Sequence, residues 1–170
     1  MPPGSSPGSN ARLTSVLYLT LKALHVVSIV LFLGNVITGV FWKVHADRSG
    51  ELRVREQAIA GLIRSDSLFT VPGVLLIIAT GVTLALIAHL PMLRTFWIGW
   101  SLVLFGISGL AFALKVGPLQ KKLLANTRAG LAGSWNDSEY HLLSKSWAVW
   151  GGVATAAPLV AVFLMVMKPA

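Results

Sequence analysis

The 170-residue chain has no cysteine and only 6 acidic residues. Without cysteine there is no disulfide framework, no thiolate metal site and no cysteine nucleophile. Charged side chains make up 12% of the sequence, against about 25% in soluble domains. That balance excludes a disordered protein and sets the chain apart from ordinary soluble enzymes. No H-E-x-x-H, P-loop or G-x-G-x-x-G motif is present. No acidic residue falls inside a long apolar run, so carboxylate acid–base chemistry in the middle of a membrane is not expected.

Apolar residues dominate, at 55% of the chain with a mean hydropathy of +0.74. They cluster in runs such as Val26–Leu33, Val74–Ile87, Trp100–Leu114 and Ala154–Met167. A membrane span needs about 20 such residues. Four segments qualify: Val16–Trp42, Leu68–His89, Phe96–Val116 and Trp147–Met167. Each must be helical, because an isolated strand leaves its backbone unpaired in lipid. The expected fold is therefore all-α, a polytopic four-helix membrane bundle occupying residues 15–170. Residues 1–14 form a tail, Pro/Gly/Ser-rich to Asn10, without the basic segment of a secretory signal, and nothing in it looks cleaved.

The net charge of +8 does not point to nucleic acid, since basic and acidic residues interleave in two loops. Lys43, Arg48, Arg53, Arg55 and Arg64 lie in the first, and Lys115, Lys121, Lys122, Arg128 and Lys145 in or beside the third. Arg12, Lys22, Arg94 and Lys168 lie on the opposite side. Basic residues stay cytoplasmic, so both termini are expected outside an inner membrane. Trp42, Trp147 and Trp150 mark one boundary and Trp97 and Trp100 the other, as an aromatic belt does. From Glu51 to Ile63, Leu52, Ile59, Leu62 and Ile63 share one face. This predicts a short amphipathic cytoplasmic helix lying on anionic inner-leaflet lipid. Asn136 before Glu139 predicts an N-cap, and Asp66 a cap on the second span.

Packing signals follow the same logic. Gly73, Ile77, Gly81 and Ala85 form a smooth stripe on span two. Ala148, Gly152 and Ala156 do so on span four, and Gly106 and Gly109 add small positions on span three. Small residues let membrane helices approach closely. Pro158 should bend span four, because it cannot donate to the Ala154 carbonyl. Asn35 is expected to join helices through its amide.

Candidate chemistry centres on His25, the one histidine well inside a span. Neutral imidazole can hydrogen-bond a neighbouring helix or ligate haem iron. His89, at the end of span two, is the expected second ligand, and Met165 or Met167 its substitute. Lys22, one turn outward from His25, could meet a haem propionate. The same His25, His89, Met165 and Met167 are the donors for copper(I), a second choice after haem b.

Several pieces of the chain resemble a bacterial integral-membrane family of unknown function. They are Leu21-Lys22-Ala23-Leu24-His25, Gly34-Asn35, Phe41-Trp42-Lys43, Ala46-Asp47-Arg48, Arg64-Ser65-Asp66, Phe69-Thr70-Val71-Pro72-Gly73, Thr80-Gly81, Pro118-Leu119-Gln120 and Lys168-Pro169. More distantly, the opening LKALH and closing KP are similar to HemJ-type protoporphyrinogen oxidases, and the architecture to the CopD-type copper-resistance domain. The HemJ-type resemblance implies haem at His25 together with a lysine on the third span, where this chain has Ser101. It therefore implies haem through His25 with a different second ligand or none. Two classes of function stand open. One is a structural or accessory membrane protein, alone, self-associated or with other membrane proteins. The other is a haem- or copper-associated redox protein and, if an enzyme, a haem-dependent oxidoreductase.

Overall fold

The computed structural model describes residues 7–169, with side chains from residue 11. Six α-helices follow one another: α1 Pro7–Ser49, α2 Leu52–Ser65, α3 Val71–Ile87, α4 Phe96–Ala111, α5 Gly117–Leu131 and α6 Asp137–Met167. No strand occurs among the described residues. α1 begins at Pro7, so residues 7–14 of the expected tail stand in a helix, and residues 1–6 lie outside the described residues.

α2 and α3 form one continuous rod through a π-helical turn at Asp66–Thr70. α4 and α5 do the same through a π-helical turn at Phe112–Val116. Both turns have one cause. Pro72 and Pro118 lack an N–H and crowd the preceding turn, so the helix widens to an i+5 bond just before each. Val71 N donates to Asp66 O, and Gly117 N donates to Phe112 O.

Four rods result, each long and apolar enough to cross a membrane: Ala11–Ser49, Leu52–Ile87, Phe96–Leu131 and Asp137–Met167. The 43 residues of α1 extend about 65 Å, roughly twice the 30 Å hydrocarbon layer. The end of the rods rich in Lys and Arg is the basic end. There α1, α2, α5 and α6 enclose a core of Ile59, Leu62, Val116, Leu123, Tyr140 and Trp147.

This arrangement corrects two expectations. The apolar face of α2 is covered by protein, with Ile59 1% exposed, because α5 packs against it. It therefore does not lie on a leaflet. Trp147 is likewise buried in this core and is no belt residue. Trp42 and Trp100 are largely exposed, as belt residues should be. The expected N-cap holds: Glu139 N donates to Asn136 Oδ1 at 3.0 Å.

Within the apolar part the helices pack as two pairs, α1 with α3 and α4 with α6. The α3 stripe does what its small residues predict. Gly73, Ile77 and Ala85 are buried, and a Cβ on Gly73 would stand 3.3 Å from Phe32 Cβ. The α6 stripe does not. Nothing lies within 4 Å of a Cβ at Gly152, Gly106 or Gly109. The α4/α6 contact instead uses Ile98, Ser101, Ser108 and Ala111 against Ala157, Pro158 and Ala161. Serine hydroxyls select that face. Ser108 Oγ donates to Ala154 O at 2.6 Å, the carbonyl that Pro158 leaves without a helical donor. Ser101 Oγ reaches Ala161 O at 3.3 Å.

Candidate functional site

Among the described residues, no close backbone approach joins α3 to α4, or α1 to α4. The two pairs touch through the rings of Phe32 and Phe105, whose centroids are 6.0 Å apart. Between them lies a cavity of about 240 Å³. Its deeper walls are apolar, including Phe32, Leu75 and Phe105. Gly109 and Gly151 face open space and line it, so the small residues of α4 and α6 make room here and do not serve close packing.

The end of the cavity nearest the basic end is polar. Asp66, Thr70 and Gln120 reach it, with Trp147 beside them. Asp66 does not cap a helix, because the chain passes through it in helical conformation. Its carboxylate is buried, 6% exposed, and is held by three side chains. Thr70 Oγ1 donates to Oδ1 at 2.8 Å and Gln120 Nε2 to Oδ2 at 2.9 Å. Asn35 Nδ2 donates to Thr70 Oγ1 at 2.9 Å and to Asp66 Oδ1 at 3.3 Å. Asn35 thus joins α1 to the α2–α3 rod as expected. The Asp66–Gln120 bond joins the two π-turn rods across the cavity mouth.

A second polar cluster lies beyond it. Lys43 is 2% exposed, its ammonium 2.6 Å from Asp47 Oδ2 and hydrogen-bonded to Ser144 Oγ. Tyr140 donates to Asp47 Oδ1 at 2.5 Å. Lys43 Nζ also stands 5.3 Å from the Tyr140 and Trp147 ring centroids. The buried charge is paired and stacked, which is what its burial requires.

His25 is half-buried on α1 and faces α3. Its Nδ1 is 2.8 Å from Thr80 Oγ1, whose hydroxyl donates to Leu76 O at 2.5 Å. The imidazole is thus anchored to α3 through Nδ1, and the Thr80 hydroxyl also reaches its own helix at Leu76 O and Ile77 O. Gly81 provides the space, for a Cβ there would stand 3.1 Å from His25 Cε1. His89 lies past the end of α3, exposed and in a left-handed conformation at φ 50°. Met165 and Met167 are on α6, in the other helix pair. The pairing therefore brings His25 to Thr80 and Gly81, not to these three residues. Lys22 is exposed one turn away. No group of three or more His, Cys, Asp or Glu able to hold a metal occurs among the described residues.

The comparisons agree with this architecture. A family model described as "Predicted integral membrane protein (DUF2269)" matches residues 19–169. The chain belongs to that family. The match runs from just before the LKALH segment to the closing Lys168-Pro169, and so covers the first rod from residue 19 and the other three rods of this DUF2269 protein in full. The family's function is unknown, and nothing found supports the more distant HemJ or CopD likeness. No curated protein and no solved structure matches the chain.

Sequence reasoning missed the Asp66–Gln120 pairing and the role of Trp147. The usable signal was the pair of prolines at Pro72 and Pro118, each near a helix-embedded polar residue, Asp66 and Gln120.

Proposed function

We propose that this DUF2269 protein is an accessory membrane protein that binds a hydrophobic molecule in the cleft between its two helix pairs. The observation that carries the reading is the cavity itself, apolar in its depth and polar at one end. Apolar pockets with a few convergent polar groups are the usual form of a small-molecule site. The hydroxyl–carboxylate pair at its polar end, Thr70 with Asp66, is tied into a shell with Asn35 and Gln120, so binding and presentation fit the arrangement better than turnover.

The binding is testable by native mass spectrometry of the detergent-purified protein with dodecanol. Wild type should retain one dodecanol, and Gly109→Leu, which fills open space on the cavity wall, should lose it without loss of thermal stability. Equal retention by the two proteins would contradict the reading.

The basic end is proposed to face the bacterial cytoplasm, where exposed Lys121 and Lys122, near the start of α5, would meet anionic inner-leaflet lipid. Self-association through the exposed apolar faces of α1 fits the same role.

One observation favours a second reading. Thr80 holds the His25 ring through Nδ1, as an orienting partner does for a histidine that ligates iron or copper through its other nitrogen. Haem b would then be held at His25, with Lys22 close enough along the helix to meet a propionate. His89, Met165 and Met167 remain the proposed further donors, reached by a rearrangement or from a second copy. An absorption spectrum of purified protein, oxidised and reduced, tests this. A Soret band lost in His25→Ala supports it, and a haem-free protein from haem-supplemented cells overturns it.

A further inference from the structure

The polar end of the cleft specifies its ligand more narrowly. We propose that the cleft takes a single-chain amphiphile whose head carries a primary ammonium beside an oxygen acceptor, an inference that rests on the reading of the cavity as a binding site. Two independent features support it, one negative and one a donor.

The first is Asp66. Every group bonded to its carboxyl is a donor: Thr70 hydroxyl, Asn35 amide and Gln120 amide. A donor-only shell favours the ionised carboxylate, which burial on its own disfavours. A carboxylate has about four acceptor sites, so this shell leaves room for one more donor. The ion pairs among the described residues are Lys43–Asp47, Arg128–Glu56 and His141–Asp137. None gives Asp66 a cation. A buried charge without a counter-charge is costly, and an ammonium arriving through the cavity would supply both the charge and the missing donor.

The second feature is Trp147. It is 5% exposed, it lines the same cavity, and its Nε1 has no hydrogen-bond partner. Its ring face is occupied by Lys43, but its N–H is left without an acceptor. Indole nitrogen is a donor only, and since this one is closed off from the cavity as the side chains stand, a ligand oxygen would satisfy it once the ring turns toward the cleft. Both features belong to the end of the cleft that Leu62 and Gln120 also line, whereas Phe32, Leu75 and Phe105 lie at the other. Head and tail are thereby given opposite ends, the tail running into the space that opens between the helix pairs.

Three probes of equal chain length separate the contributions: dodecanol, dodecylamine and 1-amino-2-dodecanol, each titrated into the detergent-purified full chain and read by native mass spectrometry. In wild type, dodecylamine should bind about tenfold or more tighter than dodecanol, the worth of a charge-assisted bond. The amino alcohol should bind several-fold tighter again. Asp66→Asn should remove the advantage of the amine over the alcohol, and Trp147→Phe the advantage of the amino alcohol over the amine. Wild type binding all three equally would overturn the proposal while leaving the cleft a binding site. Binding of none would overturn the site itself. Should Asp66→Asn fail to fold, the wild-type ranking and its loss in Gly109→Leu still decide the matter.

Discussion

Ser108 and Pro158 form a coupled pair whose removal has a calculable cost. Pro158 denies the Ala154 carbonyl its helical donor, and Ser108 supplies the replacement from α4 at 2.6 Å. Replacing Ser108 by alanine leaves a carbonyl at a buried helix contact without a partner. An unsatisfied buried group costs about 1–3 kcal/mol, while interhelical bonds in membrane proteins average about 0.6 kcal/mol. The expected cost lies between them, about 1–2 kcal/mol, because no N–H at position 158 can substitute. In a Pro158→Ala background that N–H exists, and the helix can satisfy Ala154 itself. Ser108→Ala should then cost about 0.5 kcal/mol or less, giving a coupling energy near 1 kcal/mol. Reversible unfolding of the four proteins in mixed micelles measures the cycle. An identical cost of Ser108→Ala in both backgrounds would refute the argument.

Other substitutions test other contacts. Gly81→Leu should push α3 from His25 and cost about 1–3 kcal/mol, whereas Gly152→Leu, with nothing near its Cβ, should stay within about 0.5 kcal/mol; detergent melting of both decides. Lys43→Met strips Asp47 of its cation in a cluster where the lysine is wholly buried. A cost of about 2–3 kcal/mol is expected, less than for a fully buried pair because Asp47 is partly exposed, and Tyr140→Phe should add little to it. Because the chain lacks cysteine, single cysteines at Gly133 and Leu93 report orientation: an impermeant maleimide applied to intact spheroplasts should label position 93 and spare position 133. The opposite pattern would reverse the topology.

The rods themselves were legible because lipid imposes a single rule, long apolar segments with internally satisfied backbones. The close approach on α3 was legible for a similar reason, since Gly73 and Gly81 recur on one face and Asn35 has to find a partner, but that α1 is the helix that packs there was not. Gly152 shows the limit. Small residues mark a close approach on α3, whereas Gly109 and Gly151 line a cavity and Gly152 is simply exposed, and composition alone does not separate the three. Asp66 shows another. A Ser-Asp-Ser segment before an apolar run with Pro nearby carries the signature of a helix start, yet a π-helical turn lets the helix run through and turns the carboxylate inward. Gln120 is remote in sequence from Asp66, and only the pairing of the two rods brings them together.

The central claim is that the space between the two helix pairs is a ligand site and not a lipid-filled gap. Photolabelling with a diazirine-bearing alkyl amine, followed by mapping of the modified residues, tests it most directly. Labels should concentrate on cavity residues such as Phe32, Leu75, Phe105 and Thr155, fall away with excess dodecylamine, and vanish there in Gly109→Leu. Labels spread evenly over outward-facing positions such as Leu19, Val30 and Phe163, indifferent to the competitor, would contradict it.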